Sequence, residues 1–270
     1  MWVYAWSMIA VVSVGVISSI VLRFTKPPEM WRLGFSYISI VDTSYTPVFE
    51  IAYVYQCCGI FMITLSVYSS DVTVVSIIAQ ITAQIKILEN AIRTYVERGL
   101  KDTKKTSETA VNNVLRDTIL NHHVTLLDTV TTVEDLCCYL ALCVFLANSV
   151  LLCLLMYKTS LLPFTNVYFI MYFFYCLLIA IQVFLYCWWG NEMTLANESL
   201  ALGVSQSYTP DGPLSHAMAL KLMMIRSQRT LCLTAGKFAP LSLDTYKAVM
   251  KASFSYFMVL RQVNEEVVEE

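Results

Sequence analysis

The chain has 270 residues, of which 57% are hydrophobic and 14% charged, with a formal net charge of -2. So apolar a composition excludes a large soluble domain, and the scattered basic residues exclude a nucleic-acid-binding stripe. What remains is an all-α integral membrane protein, a helical bundle, because only helices and closed barrels satisfy their backbone groups in lipid.

In chain order, Trp2 to Leu22 is an apolar and small-residue run, and ~20 such residues cross a hydrocarbon core of about 30 Å. It has no basic lead and no cleavage site before Arg23, so it reads as a span rather than a signal peptide. A polar connection from Arg23 to Thr46 ends at Pro47, a residue suited to a first helical turn. The second span, Ile51 to Ser70, continues past Asp71 with Val74, Ile78, Ile81, Ile85, Leu88 and Ile92 at spacings of three and four. This predicts an amphipathic helix that leaves the membrane. Asp71 sits at the boundary, either coupling span to extension or solvated at the interface, the second being the plainer reading.

Thr94 to Thr109 mixes charges and predicts a loop, after which Val114, Leu115, Ile119, His122, Leu126, Val130 and Val133 restore the helical period. His122-His123 has no carboxylate or thiol at ligand spacing, so packing is preferred over a metal site or pH switch. The third span, Leu136 to Tyr157, contains Asn148-Ser149, which would bond to another helix or face a cavity. Lys158 to Ser160 predicts a short turn. From Pro163 to Trp189 a fourth span carries Tyr168, Tyr172 and Tyr175 on one face, either an aromatic belt or the polar handles of an apolar pocket. Gly190 to Pro240 is mostly polar, with a turn cluster at Tyr208 to Pro213 and a helical stretch from Ala217 to Leu233. Asn197-Glu-Ser199 matches a glycosylation sequon on the side expected to face cytosol, and is read as a false positive.

The last helix, Leu241 to Leu260, is interrupted by Ser242, Asp244, Thr245, Lys247, Lys251, Ser253 and Ser255, which suits a place in a bundle or beside water. Thr245, Val249, Ala252, Tyr256, Val259 and Val263 share one face, with Lys247, Lys251, Ser255 and Gln262 on the next. Basic residues gather in the connections holding Lys86 to Arg116 and Lys221 to Lys237, which would put that side in the cytoplasm and the C-terminus outside. The nine cysteines lie mostly in apolar runs and offer neither a disulfide framework nor zinc spacing. No catalytic residue, metal site or cofactor is expected: the three histidines pair with no nucleophile, and there is no phosphate-binding glycine loop.

Four stretches, Ser227-Gln-Arg, Thr234-Ala-Gly-Lys-Phe, Pro240-Leu-Ser-Leu and Ser255-Tyr-Phe-Met-Val-Leu, resemble the C-terminal signature of the insect odorant receptors. The likeness continues upstream through TPVFEIAYVYQ, Asp71, AQIKIL and Ile119-Leu-Asn-His-His, and these words lie closer to the odorant than to the gustatory branch. It implies five spans of a seven-span receptor, helices extending into the cytosol, and residues before Met1. It divides the chain into first and second spans with a helical extension (1–89), a cytoplasmic loop and helix (90–133), and third and fourth spans (134–189). A cytoplasmic anchor (190–240), a pore-lining span (241–263) and an extracellular acidic tail (264–270) complete it.

The implied function is a subunit of a ligand-gated non-selective cation channel, heterotetrameric with the odorant receptor co-receptor, in the plasma membrane of a sensory dendrite. Small volatile odorants would bind in the outer half of the bundle near Tyr53, Asn148, Tyr168, Tyr172 and Tyr175. Val259, Gln262 and Val263 would form the gate, against the plainer reading that the valines pack on neighbouring helices. Alternatives are an inert truncated fragment and a G-protein-coupled chemoreceptor. The latter fits poorly, since neither Asp-Arg-Tyr nor Asn-Pro-x-x-Tyr occurs.

Overall fold

The computed structural model describes residues 2–25, 46–101, 108–163, 167–206, 214–229 and 231–269. Among them run helices α1 (Trp2–Thr25), α2 (Thr46–Lys101), α3 (Glu108–Ser160), α4 (Val167–Gln206), α5 (Leu214–Ser227) and α6 (Leu243–Glu269). A short antiparallel pair, β1 (Thr234–Ala235) with β2 (Ala239–Pro240), precedes α6. The expected turn cluster at 208–213, most of the connection before Pro47 and the side chains of Glu265, Glu266, Glu269 and Glu270 lie outside what is described.

Pro47–Thr94, Asp117–Ser160 and Tyr168–Gln206 are long and apolar enough to cross a bilayer. The apolar run of α1 is shorter, Tyr4–Ile17, but its 24 residues reach ~36 Å at 1.5 Å each. The 27 residues of α6 reach ~40 Å by the same rise.

The helices outrun the expected boundaries. α2 continues to Lys101 where a loop was expected from Thr94, because glutamate, arginine and lysine propagate a helix well and Arg93 pairs with Glu89 at i,i+4. α3 takes in the expected turn at Lys158 to Ser160, and the described turn falls at Leu161–Leu162 instead. α4 passes through Gly190 to Gln206, since Met193, Ala196, Leu200 and Val204 give it a buried seam at helical spacing. α5 stops at Ser227 rather than Leu233.

The chain forms two compact units, and α2, α3, α4 and α6 contribute to both. The first comprises Met1–Val74, Ala147–Val183 and Val249–Glu270. Its α2 segment leaves Ile51, Val54, Tyr55, Phe61, Met62 and Ile63 exposed, a surface suited to lipid or other helices rather than water.

The second comprises Val75–Leu146 and Phe184–Ala248. The seam expected on α2 is buried here at Ile78, Ile81, Ile85, Leu88 and Ile92, with Val75 buried in place of the expected Val74, and on α3 it is buried at Ile119, Leu126 and Val130. The polar face of α2 meets α4 through Ser199 Oγ, which donates to Glu89 at 2.8 Å, and through Lys86 and Glu192 at 3.8 Å. Asn197, the sequon asparagine, is 2% exposed within α4, with no hydrogen-bond partner for its Oδ1.

In the same unit the segment before α6 is pinned at its turn and at its end. Gly236 N–H donates to the Cys138 carbonyl at 2.9 Å, Thr234 Oγ1 to Glu134 at 2.9 Å, and Lys237 pairs with Asp135 at 3.1 Å. Gly236 and Lys237 both have positive φ, and a Cβ on Gly236 would meet Leu142 at 2.8 Å. A Cβ on Gly190 would stand 2.6 Å from that of Leu241 and closer still to the Leu241 carbonyl oxygen. α6 then starts from Ser242, whose Oγ caps the Thr245 N–H at 3.2 Å, with Asp244 in the first turn.

His123 is buried, and burial first, then the nearby Arg226 charge and His122, hold its pKa below the ordinary 6.5. The unfolded chain thus binds the proton more readily, so stability falls as pH drops below about 6.5. Thermal melts from pH 7.5 to 5 should show this acid loss, flattened in His123→Gln. Gly190→Ala should lower stability by about 1–3 kcal/mol, because the added methyl meets backbone that cannot yield locally. A melting temperature equal to the parent's would show that Leu241 has room to move.

Candidate functional site

A buried carboxylate in the middle of α2 organises the first unit. Asp71 is 5% exposed, not solvated at an interface as the plainer sequence reading had it. Such a group is costly to bury unless hydrogen bonds replace its water. Tyr4 of α1 donates its hydroxyl to Oδ2, while Gln182 Nε2 of α4 lies 3.1 Å from Oδ1 and 2.9 Å from Oδ2. The Tyr4 ring also stacks on Tyr68, one turn before Asp71, at 6.0 Å.

The network extends to α3. Asn148 Nδ2 donates to Gln182 Oε1 at 3.4 Å, so Asn148 bonds across to another helix. Its neighbour Ser149 faces elsewhere, since adjacent helical residues project ~100° apart at 3.6 residues per turn. Ser149 Oγ is 3.3 Å from Ser253 Oγ of α6, and Ser253 Oγ donates to the Ser149 carbonyl at 3.3 Å. Ser253 is fully buried. Two consecutive residues of α3 thus tie it to α4 and to α6.

Beside this contact lies an apolar cluster of Leu152, Leu155 and Ile179, packed by Met156, Tyr172, Cys176, Ala180 and Met250. Met250 and Ser253 are one turn apart on α6, as Ser149 and Leu152 are on α3. The α3–α6 contact is therefore part polar and part apolar.

The expected site residues are distributed as follows. Tyr172 joins the cluster just described. Tyr168 is half-buried, and Tyr175 keeps 38% exposure although Met171, Leu178 and Ile179 on that face are buried. Tyr53 donates to the Val16 carbonyl at 3.2 Å and stacks on Phe49, joining α2 to α1. Val259, Gln262 and Val263 are exposed on the distal half of α6, with Tyr256 and Met258. Lys247 pairs with Asp244 at 3.0 Å, as needed if its charge is to be moderated. Gln182 was missed by sequence reasoning. The available signal was a lone amide in an otherwise apolar run, where a polar side chain needs a partner.

The family model described as 7tm Odorant receptor matches residues 1–254. Odorant receptor 10 of Aedes albopictus is 25% identical over 236 residues, covering 84% of this chain and 59% of its own length. The odorant receptor coreceptor of Ooceraea biroi is 28% identical over 166 residues, 61% of this chain and 34% of that protein. Among solved structures, the olfactory receptor OR5 of Machilis hrabei in complex with eugenol aligns with a TM-score of 0.75 at 19% identity, covering 96% of this chain and 65% of the other. A second structure of the same receptor gives 0.77 over the same shares. These likenesses establish a shared fold, and the chain spans less than two thirds of the length of each of these proteins.

Proposed function

We propose, since the chain belongs to the 7tm odorant receptor family, that this multi-pass membrane protein is a subunit of an odorant-gated cation channel. The observation that carries the reading is that Tyr172, a candidate ligand contact, and Met250 of the last helix pack on one apolar cluster. A small molecule displacing side chains at Tyr172 would then press on the helix proposed to line the pore. The partner is a co-receptor chain, in a heterotetramer at the plasma membrane of a sensory dendrite.

The ligand region lies along Ser13 to Val21, Pro47 to Gln56, Asn148 to Met156 and Tyr168 to Tyr175. Aromatic rings supply buried area there and tyrosine hydroxyls supply orientation, which suits a small, weakly polar volatile. The open face at Tyr175 and the exposed α2 surface leave room for such a molecule or for further helices.

For the pore, Val259 and Val263 are 57% and 52% exposed in the isolated chain, as side chains facing a lumen would be. A ring of such residues blocks ions by excluding water and conducts once widened. Lys251 is exposed nearer the inner end and would disfavour cations. Permeation is accordingly assigned mainly to the partner subunits, with this chain adjusting it.

Two measurements test this in the full-length receptor expressed with its co-receptor. Tyr172→Ala should change the ranking of responses across a panel of aliphatic and aromatic volatiles, eugenol included, by about tenfold in sensitivity for some, the effect of ~1.4 kcal/mol of lost contact. Surface levels should change little, and an unchanged ranking with Tyr168 and Tyr175 also substituted would move the ligand elsewhere. Val259→Lys should reduce evoked current and shift cation selectivity; parental behaviour in both would remove α6 from the pore lining.

A further inference from the structure

The network around Gln182 joins the region assigned to ligand to the helix assigned to the pore, through bonds that are either made or broken. Gln182 uses both ends of its amide: Nε2 reaches both Asp71 oxygens, and Oε1 accepts from Asn148. Removing the amide would leave Asn148 without the bond that sets its side chain and withdraw one partner from a buried carboxylate. One residue on, Ser149 meets Ser253, and this pair is flanked one turn away by Leu152 and Met250. Small hydroxyl side chains let helices approach closely. Their hydrogen bonds, at 3.3 Å each, break with a small displacement. Tyr172 and Met250 pack on the same cluster, which includes Leu152, so a side-chain shift at Tyr172 is passed through that cluster to the turn of α6 beside the serine pair.

We propose that the Ser149–Ser253 contact is a latch that holds α6 in its ligand-free position, and that Gln182 is a positioning residue that keeps the latch in register by fixing Asn148. This rests on the assignment of α6 to the pore. Binding beside Tyr172 displaces the cluster, opens the serine contact and frees α6 to move. Two discrete states of one contact, rather than a continuous deformation, are what allow a small displacement to be felt at a distance. Loss of the latch therefore acts as ligand does, raising the resting activity.

The test uses the full-length receptor with its co-receptor, in three forms: Gln182→Met, which keeps the side-chain length without hydrogen bonds, Ser253→Ala, and the double variant. Backbone hydrogen exchange over Val249–Tyr256 in the purified complex reads the latch without reference to conduction. Ligand-free current per surface-labelled receptor reads its effect on the gate. Both single variants should exchange faster and raise the ligand-free current about fivefold. The double variant should add little to the larger single, because both changes cut one chain of contacts. Unchanged exchange in Ser253→Ala overturns the latch while leaving the pore assignment to stand on Val259→Lys. Faster exchange with unchanged current overturns its role in gating, and increases that multiply in the double variant overturn the role of Gln182. Should Gln182→Met fail to reach the surface, Ser253→Ala, which loses one hydroxyl, decides the latch by the same two readouts.

Discussion

The position of Asp71 constrains the first unit more than any apolar contact does. A carboxylate at 5% exposure needs donors supplied by protein, and two other helices, α1 and α4, supply Tyr4 and Gln182. Hydrophobic contact is tolerant of sliding, whereas these bonds are satisfied in one register only. Once α4 is placed by Gln182, Asn148 places α3, and Ser149 places α6. The buried polar groups of this unit thus act as an alignment device for helices whose outer faces would accept many arrangements in lipid.

The second unit is held differently. Its α2 and α3 segments carry aliphatic seams with a regular helical period, and its ion pairs of Lys86 with Glu192 and Lys237 with Asp135 lie toward the surface. Surface ion pairs of this kind contribute little each, so the seam carries the stability. What the polar and tight contacts add is placement: Gly190 admits the Leu241 backbone, Gly236 admits Leu142, and Ser242 fixes the first turn of α6. Within this unit α6 therefore begins from a fixed first turn.

The sequence made the seams legible because a period of three and four over five turns has no other simple reading; Ile78 to Ile92 is buried at the expected positions, and only the first, Val74, gives way to its neighbour Val75. Element ends were not legible. Charged residues after Thr94 and the Gly190-Asn-Glu break look like loops, yet glutamate, arginine and lysine are good helix formers and the Met193 to Val204 seam carries the helix past a glycine. Asp71 was visible as an anomaly but its partners were not. Tyr4 and Gln182 lie 67 and 111 residues away, and no local pattern specifies a pairing at that distance. For Asn148-Ser149 the need for partners was readable, while the assignment of one to α4 and the other to α6 required the fold. The three tyrosines share a helical face as expected, but differ in burial because neighbouring helices cover only part of that face.

The separation of those partners along the chain has a consequence during synthesis. Tyr4 is already made when Asp71 leaves the ribosome, but Gln182 follows 111 residues later, ~6–22 s at 5–20 residues per second. Through that interval the carboxylate is without the two bonds that the Gln182 amide supplies. Of these two donors, Tyr4 is therefore the one that is available first. Arrival of α4 brings the Gln182 amide to both carboxylate oxygens, so this buried contact is made between helices that are not neighbours in sequence.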